Sequence, residues 1–250
     1  MNYSEMRDNE IIRAYRNGDL DAIDFLIRKY TPLIHKCKSN RFAKGYSDDD
    51  FVQEGYIGLM SAINKYDEDA KASFFLVGKH ITEETAPIVR RAVSLGCEIC
   101  CHSFAHDDMS RMTPAEIHAD FDETARRIQA ITDTAPRFFR PPYIAVSEVM
   151  FSEIPLPFIA GYGVTDYEDT VTADMRFQGV MSQAKHNAII LLHDQAGNIQ
   201  TVEALKQIIP ALRAEGYEFV TVSQLFAEAG ITPQKRILYS FSEQTTMYAE

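Results

Sequence analysis

Apolar positions along the chain change their spacing near residues 69–73. Before that point they recur at helical intervals: Ile11, Ile12 and Tyr15, then Ala22, Ile23, Leu26, Ile27 and Tyr30, then Val52, Ile57, Leu59, Met60 and Ile63. Each set makes one apolar face, which predicts a run of amphipathic helices. Beyond it, short apolar runs predict strands over residues 74–77, 98–104, 138–140, 158–164, 188–193 and 217–222. Amphipathic stretches at 83–95, 114–131 and 202–215 lie between them, the second opened by Thr113 as N-cap with Pro114 at the first helical position. Strands alternating with helices imply an α/β arrangement of parallel strands and crossover helices. From about residue 231 to 250 the sequence turns polar and aperiodic, and a flexible tail is expected there.

Polar clusters end the apolar runs, and a parallel barrel or sheet gathers such strand ends on one face. His102, His106, Arg140, Tyr143, Asp166 and His193 could therefore converge although they are far apart in sequence. His102 and His106 stand four apart at the end of a strand, a spacing that lets two neutral imidazoles reach one zinc-like ion. A catalytic zinc usually has a third protein ligand and an open position for water, and His193 then fits a general acid. Taken singly, each group has a plainer account: idle histidines, a helix salt bridge for Arg140, a turn role for Asp166. Their order at successive strand ends favours a site. Cys97, Cys100 and Cys101 contain a C-x-x-C spacing that can bind metal, but adjacent strand residues point to opposite faces, so small buried thiols are expected.

Composition narrows the class. With 250 residues, 46% of them hydrophobic, the chain can bury a core in one large or two modest domains. A formal net charge of -11 argues against wrapping nucleic acid through a broadly basic surface. The 4 cysteines are too few and too clustered for a secreted disulfide framework. The first ten residues carry charges where a signal peptide has an apolar core, and no stretch approaches the ~18 apolar residues of a membrane span. A cytoplasmic protein with no membrane partner is the expectation.

Residues 72 to about 229 resemble the polysaccharide deacetylase superfamily of carbohydrate esterases. The likeness rests on Ala72-Ser73-Phe74-Phe75-Leu76-Val77-Gly78, on His102-Ser103-Phe104-Ala105-His106, on Arg140-Pro141-Pro142-Tyr143 and on Leu191-Leu192-His193. The resemblance implies a distorted (β/α) barrel that removes acetyl groups from polysaccharide or oligosaccharide sugars with a divalent metal, zinc foremost. It implies His102 and His106 as metal ligands and His193 as the acid that protonates the leaving group. Leu191 would line the acetyl-methyl pocket, with Pro141 and Tyr143 in the groove wall. A backbone N–H near Tyr143 would steady the oxyanion, and Arg140 and Asp166 would orient the catalytic groups. The fourth motif, Thr165-Asp166-Tyr167-Glu168-Asp169, leaves Asp166 and Asp169 both open.

The family's first strand ends in a T-F-D-D-G pattern that supplies the base and the third metal ligand, and no match to it precedes Ala72. The acidic run Asp67-Glu68-Asp69 lies at the wrong end of its strand. An incomplete barrel with impaired or absent activity and marginal stability is therefore expected, its open edge covered by helices such as residues 56–65.

Residues 8–66 resemble the second conserved region of bacterial RNA polymerase sigma factors, above all through Asp48-Asp49-Asp50-Phe51-Val52-Gln53-Glu54-Gly55-Tyr56-Ile57-Gly58-Leu59. That resemblance implies docking on the polymerase core through Asp50, Gln53 and Glu54. It stops before the helix that reads promoter DNA, so promoter recognition is not expected. The organisation expected is a helical segment over 1–71, a deacetylase-like barrel over 72–230 and a tail over 231–250.

Overall fold

The computed structural model describes residues 2–38, 70–194 and 198–247, and the chain divides into two compact units, Met1–Glu68 and Asp69–Glu250. In the first unit, α1 (Asp8–Arg16) and α2 (Leu20–Lys38) are joined through Gly18, whose φ of 97° is the left-handed conformation that ends a helix at low steric cost. The predicted spacing is realised as a small core of Ile11, Ile12, Ala22, Ile23 and Leu26. Tyr3 donates to Asp19 at 2.6 Å and Lys29 pairs with Asp8 at 2.6 Å around it. The third helical set, Val52 to Ile63, lies outside the described residues, as do the proposed cover at 56–65 and Asp67-Glu68-Asp69.

In the second unit β1 (Ser73–Leu76) pairs in parallel with β2 (Glu98–Cys101), from Ser73 opposite Glu98 to Leu76 opposite Cys101. Phe139 continues the sheet by single parallel bridges to Cys101 and Phe158. Next come β3 (Phe158–Ile159), β4 (Tyr162–Gly163), β5 (Ile190–Leu191) and β6 (Leu238–Tyr239). β3 pairs in parallel with β6, and β4 in parallel with β5. The helices are α3 (Ala86–Ser94), α4 (Pro114–Thr132), α5 (Glu148–Glu153), α6 (Ala173–Gln183), α7 (Ile199–Ala214) and α8 (Val222–Glu228). Thr113 caps α4 as expected, its hydroxyl accepting from the Glu116 N–H while Glu116 accepts from the Thr113 N–H at 2.8 Å.

Three expectations need correction. The run 158–164 is two short strands, because Gly161 at φ 85° turns the backbone between them. Residues 217–220 belong to no strand; the contact there is a single bond from the Lys71 N–H to the Phe219 carbonyl at 3.2 Å, with the Val222 N–H donating to the Ser73 hydroxyl at 2.8 Å. Through residue 247 the tail is packed rather than frayed: Ile237, Leu238, Tyr239, Ser240, Ser242 and Gln244 are all buried. Its polar residues are consumed internally, the Gln244 side chain accepting from the Ser240 N–H at 2.8 Å and donating to the Leu238 carbonyl at 2.9 Å.

The core lies on both faces of these strands. On one side Cys101, Phe139 and Phe158 meet Ile117, Phe121 and Ile128 of α4 and Met150 and Phe151 of α5. On the other, Cys100, Phe138, Ile159 and Ile189 meet Phe226 of α8 and Ile237 and Tyr239 of the tail. Cys100 and Cys101 thus occupy opposite faces, as strand alternation requires. Burial pushes the Cys101 thiol up to about 12 and the Cys100 thiol well above its ordinary value. Both stay protonated at pH 8 and are expected to resist iodoacetamide in the folded protein. Peptide mass spectrometry should show them modified only after denaturation.

Candidate active site

β1 ends in a clamp on the loop that carries the histidines. The Gly78 N–H donates to the Ser103 carbonyl at 2.8 Å and the Lys79 N–H to the Phe104 carbonyl at 2.9 Å. No side chain fits at Gly78, where an added Cβ would stand 2.6 Å from the Thr124 hydroxyl and 2.8 Å from the Phe104 ring. Asp120 of α4 accepts from the Phe104 N–H at 2.7 Å, and the Ser103 hydroxyl accepts from the His106 N–H at 2.9 Å. Fixed this way, the imidazoles of His102 and His106 lie with centroids 4.8 Å apart, nearly perpendicular.

His102 Nδ1 lies 2.8 Å from the Arg140 carbonyl, an acceptor, so the proton sits on Nδ1 and Nε2 carries the lone pair. Burial pushes His102 down to about 3, and the Arg140 charge adds to this. His106 is lowered too, chiefly by burial. Two neutral imidazoles this close are donors suited to a divalent ion, and the bond to the Arg140 carbonyl supplies the outer support that metal-bound histidines use. Among the described residues no group of three or more His, Cys, Asp or Glu completes such a set.

A second pair follows the ends of β4 and β5. The Asp166 carboxylate accepts from the His193 backbone N–H at 2.7 Å and lies 2.7 Å from His193 Nδ1. It is 1% exposed. Burial raises the Asp166 carboxyl, but the bonds from His193 and Thr201 outweigh that and hold it below the usual carboxylate range. Asp169 is exposed, and Asp166 is the carboxylate that meets His193.

Aromatic rings border the cluster: Tyr143 packs edge-on against His106 at 4.9 Å and Tyr167 against His193 at 5.5 Å. Both rings are largely exposed. Ser103, His106, Tyr143, Ile144 and Thr165 all have φ between 49° and 66°, a region costly for residues with side chains, and all belong to these loops. Pro141 is buried and Leu191 half-buried against Gly161. Among the described residues Arg140 makes no helix salt bridge; its guanidinium lies over the Phe75 ring at 4.2 Å and burial lowers it to about 10.

The groups behind Asp166 carry no signal in the sequence. Thr201 donates to its Oδ2 at 2.8 Å, and the Asn198 side chain donates to the Asp166 and His193 carbonyls at 3.0 Å each. Arg176, fully buried, donates to the Thr201 hydroxyl at 2.7 Å, to the Val171 and Glu168 carbonyls, and to Asn198. Nothing in the spacing marks Thr201, which sits in the first turn of α7 where a threonine is ordinary. Thr201→Val removes a hydrogen bond to a buried carboxylate, an expected loss of about 1.5–3 kcal/mol in denaturant unfolding.

A family model for polysaccharide deacetylase matches residues 47–154, and one for a helix-turn-helix domain matches residues 9–67. A bifunctional xylanase/deacetylase of Pseudobutyrivibrio xylanivorans is 46% identical over 175 residues, 70% of this chain. The crystal structure of the Xyl-CE4 domain of a multidomain xylanase, from the hindgut metagenome of Trinervitermes trinervoides, has a TM-score of 0.70 at 39% identity, covering 74% of this chain and 89% of that one. The chain belongs to the polysaccharide deacetylase family. A family 4 acetyl xylan esterase from Clostridium thermocellum, solved in complex with a cobalt ion, also gives a TM-score of 0.70 at 34% identity, covering 76% of this chain and 94% of that one. The α/β fold is thus the deacetylase (β/α)-barrel type preceded by helices. The chain spans 29% of the length of the Pseudobutyrivibrio relative.

Two boundaries shift. The deacetylase match begins at residue 47 rather than 72, so Asp48-Asp49-Asp50 fall inside it as well as inside the helix-turn-helix match. For the N-terminal segment the match is to a helix-turn-helix domain, a coarser description than a sigma-factor region. Asp50, Gln53 and Glu54 lie outside the described residues.

Proposed function

We propose that this chain is a metal-dependent hydrolase that removes acetyl groups from polysaccharide or oligosaccharide amino sugars. The support for the reading is the Asp166–His193 pair together with the His102–His106 pair, each beyond the end of an apolar run. A divalent ion bound by His102 and His106, zinc by the preference of imidazole donors, would supply Lewis-acid polarisation of the acetyl carbonyl. His193 is held by Asp166 through Nδ1, which leaves Nε2 to deliver a proton to the departing sugar nitrogen or oxygen. Asp166 stabilises the imidazolium that exists before that proton leaves. Tyr143 and Tyr167 flank the reacting centre as walls for a sugar, and Leu191 offers the acetyl methyl an apolar contact.

Among the described residues no carboxylate joins the histidine pair as base and third ligand. Turnover through the described groups alone would fall about 10²- to 10⁴-fold below a site that has that base. The test is acetate release from N-acetyl chito-oligomers and acetylated xylan, with added zinc and after chelation, alongside metal content. Acetate release that survives complete removal of metal would sink the metal-dependent reading; absence of release with zinc bound would sink the hydrolase reading.

For the helical segment, a sigma-like docking module is a second reading that rests on the sequence resemblance of residues 8–66; the family match there is to a helix-turn-helix domain. Retention of the full chain on core RNA polymerase, lost on substituting Asp50, Gln53 and Glu54, is the result that reading requires.

A further inference from the structure

Arg176 and Asp166 carry opposite charges, are 2% and 1% exposed, and are bridged by a single hydroxyl oxygen. Arg176 Nη1 donates to Thr201 Oγ1 at 2.7 Å, and Thr201 Oγ1 donates to Asp166 Oδ2 at 2.8 Å. A guanidinium can only donate, and a hydroxyl has one proton to give. Arg176 therefore occupies a lone pair of Thr201 and turns the Thr201 proton toward the carboxylate. The same cation sets Asn198. Its Nη1 donates to Asn198 Oδ1, so the amide nitrogen points the other way and donates to the Asp166 and His193 carbonyls at 3.0 Å each. A flipped amide would place its oxygen against two carbonyl oxygens and its N–H groups against a cation. Arg176 is anchored in turn by the loop that carries Asp166, its Nε donating to the Val171 carbonyl at 2.9 Å and its Nη2 to the Glu168 carbonyl at 3.1 Å. With Oδ2 engaged by Thr201 and by the His193 backbone N–H, Oδ1 is left for His193 Nδ1.

We propose that Arg176 is a positioning residue for His193: by fixing the direction in which Thr201 and Asn198 donate, it orients the Asp166 carboxylate and, through it, the imidazole. This rests on the proposed deacetylation only in taking His193 as the acid; the orientation itself requires no turnover. Lysine in its place keeps the charge but loses the rigid fork of donors that reaches Thr201, Asn198 and the Asp166 loop together. Thr201 is then free to turn its proton elsewhere, and a buried network that loses the polarity of one member loses it along the chain.

The full chain, carrying isotope-labelled histidine and freed of metal by chelation, would be read by NMR at the His193 Nδ1 proton. His102 Nδ1 is the internal control, because it meets a different acceptor, the Arg140 carbonyl. In Arg176→Lys and in Thr201→Val the His193 signal is expected to shift and its proton to exchange with water about tenfold faster or more, while His102 stays where it is. Thr201→Ser, which keeps the hydroxyl, should restore the native signal. In acetate release Arg176→Lys should lower kcat about 10- to 10²-fold with KM little changed, because the acid is misplaced and the groups that touch the sugar are not. Circular dichroism reports whether the variants fold; should Arg176→Lys not fold, Thr201→Val against Thr201→Ser decides, since the relay runs through that hydroxyl. A folded Arg176→Lys protein with the native His193 signal overturns the proposal. So does a Thr201→Val protein with that signal unmoved, a serine variant that behaves like the valine one, or an equal shift of His102, which would mean general loosening. Signals that behave as expected in a chain that releases no acetate would remove the proposed activity and keep the positioning role.

Discussion

If the proposed deacetylation holds, replacing His193 with glutamine is expected to lower acetate release about 10²- to 10⁴-fold and to leave bound metal unchanged. The magnitude follows from proton delivery: an amine or alkoxide departing without a proton is a poor leaving group, and a neutral amide cannot supply one. Retention of metal follows from position, because His193 is tied by Nδ1 to Asp166 while His102 and His106 sit together on another loop. Asp166→Asn should fall in the same direction by a smaller factor, since the amide still occupies the place but no longer favours the charged imidazole. A His193→Gln protein that loses its metal along with its activity would make His193 a ligand, and the assignment of acid and ligand would have to be exchanged. Comparison is made with the native chain's own rate, so a slow parent enzyme does not blur the result.

Two side-chain pairs, His102 with His106 and Asp166 with His193, were legible in the sequence because they obey strand-end logic. His102, Arg140, Asp166 and His193 each follow an apolar run, and a parallel sheet brings such ends together whatever lies between them. α4 was equally plain, since Thr113, Pro114 and Glu116 spell a capped start and Ile117, Phe121 and Ile128 keep one buried face. Residues whose role depends on a distant partner were not legible. Thr201 looks like any first-turn threonine until Asp166, 35 residues away, is known to accept its proton. Residues 217–222 carried a strand's alternation, yet alternation records burial of one face and not a hydrogen-bonded neighbour, and the backbone there meets β1 and its approach through isolated bonds, from Lys71 to Phe219 and from Val222 to Ser73, with no ladder.

Truncation after Ile231 is expected to unfold the second unit, although composition alone marks that stretch as dispensable. Ile237, Leu238 and Tyr239 are 8%, 2% and 1% exposed, and burying three such side chains contributes about 5–9 kcal/mol, against a whole-domain stability of about 5–15 kcal/mol. The backbone losses point the same way: the Ala160 N–H donates to the Tyr239 carbonyl at 2.8 Å and the Ile189 N–H to the Ser240 carbonyl at 2.8 Å, and both donors would be left without acceptors. Those donors belong to the strands that lead into Asp166 and His193, so the damage reaches the site and not only the rim. Polar residues misled the sequence reading here because Ser240, Ser242 and Gln244 are buried by hydrogen-bonding within the segment rather than by being apolar. Tyr239→Ala, a milder version, removes an aromatic ring packed against Phe226 at 4.9 Å and should cost about 3–5 kcal/mol by denaturant unfolding. A truncated chain with an unchanged melting temperature would show that the tail's pairing with β3 contributes nothing to the barrel, and the burial argument for the segment would be wrong.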